Sequence, residues 1–92
     1  MTEAELRRLA LAQRAKAILA DEVVVEARRF VREELRDAWE KTKPSDTEAR
    51  ESIYMALKVF DRVWQRIEVV FGDGKVIDSQ LPENERRGLL NF

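Results

Sequence analysis

From Ile53 onward, apolar residues recur at Ile53, Ala56, Phe60, Val63, Ile67 and Val70 in alternating steps of three and four, and Leu57, Trp64 and Phe71 widen the same stripe. Lys58, Asp61, Arg62, Gln65 and Glu68 fall on the opposite side, so the pattern predicts an amphipathic helix with a broad buried face. Its start is marked by Ser45-Asp46-Thr47-Glu48, which reads as a capping box in which Ser45 and Glu48 satisfy each other's amides. Gly72 and the Asp73-Gly74 turn signal mark its end. The segment is about residues 46–71, or roughly 39 Å at 1.5 Å per residue.

Before Pro44 a helical pattern runs back almost to the first residue. One stripe reads Leu6, Ala10, Ala17, Ala20, Val24, Ala27, Val31, Leu35 and Ala38, and its small residues allow close helix approach. A second stripe, Leu11, Ile18, Val25 and Trp39, follows seven-residue spacing and is broken at Arg32. Two apolar faces require two packing partners. Asp21 is a good N-cap and Val23-Val24-Val25 a poor helix-forming run, which divides this half into helices of about 4–19 and 22–41; one continuous helix stays open. Pro44 removes an amide and disfavours helix at Lys43, so the two long helices should fold back on each other there.

Net charge is −1, from 17 basic and 18 acidic residues, which gives no global attraction to phosphate or to an anionic membrane. The chain has no Cys and no His, and so lacks a thiolate nucleophile, a disulfide framework and the commonest general base and metal ligand. No apolar run reaches the roughly 18–20 residues needed to span a bilayer, and Met1-Thr2-Glu3-Ala4-Glu5 is acidic where a signal peptide is basic. With 92 residues in a single domain, only roughly 60–65 % of the unfolded chain's surface can be buried.

Candidate chemistry is sparse. Glu33 with Asp37 and Glu22 with Glu26 are carboxylate pairs at four-residue spacing, but bundle-core metal sites add a Glu-x-x-His element that this chain does not have. Arg29 four before Glu33 and Lys41 four after Asp37 suffice to explain the pairs as surface ion pairs. Arg28, Arg32 and Arg36 make a basic row, either relieved by acidic neighbours or reserved for a nucleic acid, and Glu33 and Glu40 favour the first. Trp64 belongs to the buried stripe; Trp39 is placed to cover the turn against Ile53, and Tyr54 is off the stripe. Glycines 72, 74 and 88 form no phosphate loop, and Ser45, Ser52 and Ser79 have no His to activate them. No catalytic, cofactor-binding or metal-binding residue is assigned.

The stretch Ala38-Trp39-Glu40-Lys41-Thr42-Lys43-Pro44-Ser45-Asp46-Thr47-Glu48-Ala49-Arg50-Glu51-Ser52-Ile53-Tyr54 resembles small helical proteins encoded by tailed bacteriophages and proteobacterial prophages. In that pattern a Trp precedes a Thr-x-Pro-x-Asp hinge and an Ala-Arg-Glu helix start, followed by a Lys, here Lys58, and a Gly-Lys turn, here Gly74-Lys75, with Gln80-Leu81 beyond. The resemblance spans about residues 15–81. It implies a virion head or packaging setting in the cytoplasm of a bacterial host or in the virion, and brings no catalytic residues. The extended N-terminal stretch and the apolar C-terminal end depart from the pattern.

Together these features predict an all-α protein. Its expected core is a long antiparallel helical hairpin domain over residues 1–81, with an N-terminal helical extension, followed by a short docking tail over residues 82–92. The expected function is a non-enzymatic assembly or adaptor protein without cofactors, membrane contact or metal. It self-associates as a homo-oligomer through Leu11, Ile18 and Val25 and docks a larger protein with Leu89, Leu90 and Phe92. The alternatives are a phage-encoded inhibitor of a host protein and a small-terminase-like packaging component contacting DNA through Arg28, Arg32 and Arg36. Across the turn, Arg50 is expected to pair with Glu40 or Asp37.

Overall fold

A computed structural model describes residues 1–82 and is all-helical over them: α1 (Glu3–Ala20), α2 (Glu22–Glu40) and α3 (Thr47–Gln80). The tail residues Leu89, Leu90 and Phe92 lie outside the described residues.

Two helices, not one, precede the turn. Asp21 takes an extended conformation (φ −66°, ψ 126°), and its carboxylate accepts from the amides of Val23 and Val24 at 2.9 and 3.1 Å. Such a cap is worth about 1 kcal/mol, enough to offset the weak helix propensity of the three valines that follow. At the start of α1, Thr2 and Glu5 form a capping box that the apolar pattern did not reveal.

The turn is built differently from the sequence expectation. Ser45 does not cap α3; Asp46 is the N-cap residue, and no side-chain cap bond forms. The Asp46 carboxylate instead accepts from the Lys43 amide at 2.9 Å, while the Asp46 amide donates to the Lys43 carbonyl at 2.9 Å. This reciprocal pair closes the loop around Pro44, whose fixed φ favours a turn. Thr42 Oγ1 donates to the Trp39 carbonyl at 2.6 Å and ties the end of α2 into the same loop.

The expected end of the last helix at about residue 71 is also corrected: α3 passes through Gly72, Asp73 and Gly74 and continues to Gln80. Two interior glycines cost about 1 kcal/mol each. The extra turns bury Ile77, with Leu81 just beyond, against Leu9 and Ala12 of α1, at roughly 1.5–3 kcal/mol for each large side chain. Packing outweighs propensity, and Gly74 lies buried within that contact region. Ala12, with 0 % exposure, admits the same close approach from the other side.

Ile18 shares a groove with Arg66 and Ile67, whereas Leu9 packs on Ile77 and Leu81, so α1 runs antiparallel to the C-terminal half of α3. Arg28 meets Glu68, Arg32 meets Asp61 and Trp39 meets Arg50, so α2 runs antiparallel to the rest of it. The faces differ from the expected stripes. Leu9, Ala12 and Ala15 are buried while Leu6, Ala10 and Ala17 are exposed, because alanines line both sides of α1 and Leu9 selects the side that packs. Along α3 the half-buried seam is Ile53, Leu57, Phe60, Trp64, Ile67 and Phe71, which leaves Ala56 and Val63 in solvent. No residue of α2 is fully buried. The Cα trace spans 60 × 23 × 16 Å with a radius of gyration of 18.3 Å, against about 12 Å for a compact chain of this length.

Candidate interaction surfaces

Four surface regions collect the notable side chains. The first is the groove between α2 and α3 nearest the turn, a volume of about 520 Å³. Leu35, Ile53 and Leu57 form its apolar floor, Trp39 and Tyr54 its aromatic wall, and Arg29, Arg32 and Arg36 its rim. These arginines stand at steps of three and four along α2, hence on one helix face. Arg32 donates to Asp61 at 2.6 Å. Arg36 lies 3.6 Å from Glu40 in an exposed pair, worth only a few tenths of a kcal/mol. Lys58 Nζ sits 5.2 Å from the Tyr54 ring centre and adds positive charge beside this wall.

The basic row Arg28, Arg32 and Arg36 is met by acid at every position. Arg28 contacts Glu68 at 3.4 Å and lies 5.0 Å over the Trp64 ring; Arg32 and Arg36 pair as above. The expected local pairs Arg29–Glu33 and Asp37–Lys41 are absent from the ion pairs of the described residues, as are pairs of Arg50 with Glu40 or Asp37. Arg50 donates from Nε to Thr42 Oγ1 at 2.8 Å and stacks on Trp39, which places its charge against a ring rather than a carboxylate. Trp64 packs edge to face with Phe60 at 5.9 Å, and its buried Nε1 has no hydrogen-bond partner among the described residues.

A second, smaller groove of about 250 Å³ lies between α1 and α3, lined by Leu11, Ala15 and Ile18 opposite Ile67 and Val70, with Arg14 and Arg66 at its edge. Two of the three expected self-association residues, Leu11 and Ile18, thus share one surface. Val25 is exposed on α2 beyond the break at Asp21, so the seven-residue stripe does not continue as one straight line.

The third region is a stripe along α3. Ala56, Val59, Val63, Val70, Gly74, Ile77 and Leu81 follow steps of three, four or seven and share one face. Its C-terminal half is covered by α1. Among the described residues its N-terminal half is bare, with Val59 62 % and Val63 53 % exposed.

The fourth is Phe30, 64 % exposed on α2 and surrounded in sequence by Glu26, Glu33, Glu34 and Asp37, all exposed. Neither apolar stripe read from the sequence included it. Its signal was present: a lone phenylalanine off both stripes, with carboxylates three or four residues away on each side.

Glu5 is the group with a clear shift in proton affinity. The Thr2 hydroxyl donates to its carboxylate at 2.9 Å and the Thr2 amide at 3.3 Å, which holds the carboxyl below the usual range. Among the described residues no three acidic side chains gather into a metal-binding group, and no helix is long and apolar enough to cross a membrane.

No protein-family model, curated protein or solved structure matches the chain.

Proposed function

We propose that this chain is a non-enzymatic assembly or adaptor protein that works by self-association, its unit being α3 with α1 and α2 packed antiparallel along its two halves. The observation that carries the reading is the half-covered stripe of α3. An intramolecular helix buries Gly74, Ile77 and Leu81, while the continuation at Ala56, Val59 and Val63 is exposed among the described residues. Each large apolar side chain removed from water contributes roughly 1.5–3 kcal/mol, so a second copy placed on this half and on the Leu11–Ile18 groove gains substantially. The thin core adds to the argument, since with five buried apolar residues among those described, a partner offers further burial.

The resemblance of the Trp39-to-Tyr54 segment supplies the setting: assembly of the head or DNA packaging of a tailed phage, inside a bacterial host. In this reading residues 89–92 dock a larger structural protein. Direct DNA contact by Arg28, Arg32 and Arg36 is disfavoured because each already faces a carboxylate. Inhibition of a host protein remains the competing role, and an origin away from head genes favours it.

Light scattering or sedimentation of the full chain from micromolar to millimolar concentration tests the reading. Mass that grows with concentration is expected. A constant monomer over that range overturns it.

A further inference from the structure

Resting on the self-association reading, the geometry points to a particular contact: the Phe30 face of one copy docks in the Arg29–Arg36 groove of the next, so that copies stack in one direction. The α2–α3 pair is a two-helix layer with two open faces. At about 100° per residue, with Val24, Leu35 and Ala38 facing α3, Arg29, Arg32 and Arg36 fall on one flank of α2 and Val23, Ala27, Phe30 and Glu34 on the other. On α3, Tyr54 and Asp61 fall on the groove flank, while Ala56, Val59 and Val63 fall on the flank away from it. Antiparallel helices present matching flanks to the same side, as the Arg32–Asp61 bond shows. One face of the layer therefore holds the groove. The other carries Phe30 together with the bare half of the α3 stripe.

The two faces are unlike in charge, and one is a groove where the other exposes an aromatic ring. The groove has an apolar floor, an aromatic wall and a cationic rim in which, among the described residues, Arg29 has no ion pair and Arg36 only a weak exposed one. Glu33 at its lining, Asp61, bound to Arg32, and Glu40, beside Arg36, are nearby acids, against Arg29, Arg32, Arg36 and Lys58. The opposite face offers one exposed aromatic ring with Glu26, Glu34 and Asp37 around it, none of them ion-paired among the described residues, and Arg66 and, toward the turn, Lys41 are bases that border it. Carboxylates against arginines attract. A two-fold arrangement instead sets acid against acid or arginine against arginine, and like charges across an interface are strongly disfavoured. Since donor face and acceptor face lie on opposite sides of one layer, the same chain cannot satisfy itself, and the contact is head-to-tail, giving a ring or an open stack.

Charge reversal tests this. Arg29→Glu/Arg36→Glu makes both faces acidic, and Glu34→Arg/Asp37→Arg makes both basic; helical circular dichroism checks that each variant, substituted at exposed positions, is folded before its association is read. At low salt, each variant alone is expected to lose association by about tenfold or more, and an equimolar mixture is expected to regain it as an alternating assembly. Added salt should weaken the wild-type and mixed assemblies alike. Phe30→Ala should reduce association with neither charge altered. If wild type associates but both reversed variants do so equally well, or if the mixture restores nothing, this contact is wrong while self-association stands. If wild type stays monomeric, both fall.

Discussion

The guanidinium of Arg50 lies 4.8 Å from the centre of the Trp39 ring, and this stacking joins the last turn of α2 to the first of α3. The same group donates to Thr42 Oγ1 at 2.8 Å, so one side chain holds both sides of the Pro44 loop. A surface cation–π contact contributes about 0.5–1 kcal/mol and a neutral-acceptor hydrogen bond about 1 kcal/mol. Arg50→Ala is therefore expected to lower stability by about 1–2 kcal/mol, measured by urea unfolding at fixed protein concentration. Arg50→Lys keeps the charge over the ring but lacks the Nε donor, and should fall between. An unchanged midpoint for Arg50→Ala removes the role.

Gly72 sits inside α3, and a Cβ built there meets nothing within 4 Å. Alanine then restricts the unfolded chain and favours helix without a clash. Gly72→Ala is expected to raise stability by about 0.5–1 kcal/mol. Thermal unfolding followed by circular dichroism reads the gain directly, and a loss of stability shows that the helix needs a feature of glycine other than its small size.

These two positions show what was legible in the sequence. Helix type, the break at Asp21 and the turn at Pro44 follow from local rules, because caps, prolines and periodicity act within a few residues. The passage of α3 through Gly72-Asp73-Gly74 does not, since it depends on Leu9 and Ala12 some sixty residues earlier. Choosing between the Leu6 and Leu9 faces of α1 was likewise beyond periodicity, as alanine occupies both. Among exposed residues, Leu11 and Ile18 stand out by their seven-residue spacing. Phe30 does not, because it is an isolated aromatic off both apolar stripes, set apart only by the charges around it.

Leu9 and Leu6 give that choice of face a direct test. Leu9 is 4 % exposed within the α1–α3 core, and Leu6, one turn earlier, is 40 % exposed. Leu9→Ala is expected to cost about 2–4 kcal/mol, and Leu6→Ala less than about 1 kcal/mol. Equal effects, or a larger one at Leu6, mean that α1 packs by its other face. Hydrogen exchange of α1 amides adds a local reading, since undocking should release them before those of α3.

The Thr2–Glu5 box makes the start of α1 sensitive to acid. Thr2 hydroxyl and amide donation, together with the nearby amino terminus and Arg8, favours the charged carboxylate and depresses its pKa. The sign follows from linkage: a group with a depressed folded pKa contributes stability above its unfolded pKa, and that contribution disappears as pH falls through the folded value. Protonated Glu5 also places less negative charge at the helix N-terminus, where the peptide dipoles favour an anion. The first turn of α1 should therefore fray selectively below the ordinary carboxylate range, while α3 amides remain protected. Residue-resolved exchange or side-chain carboxyl chemical shifts across an acid titration follow this process. Thr2→Ala should move the Glu5 pKa back up toward its usual value and shift fraying to higher pH; a Glu5 titration unaffected by that substitution rules out the hydroxyl and leaves the residue 2 amide and the nearby charges as the cause.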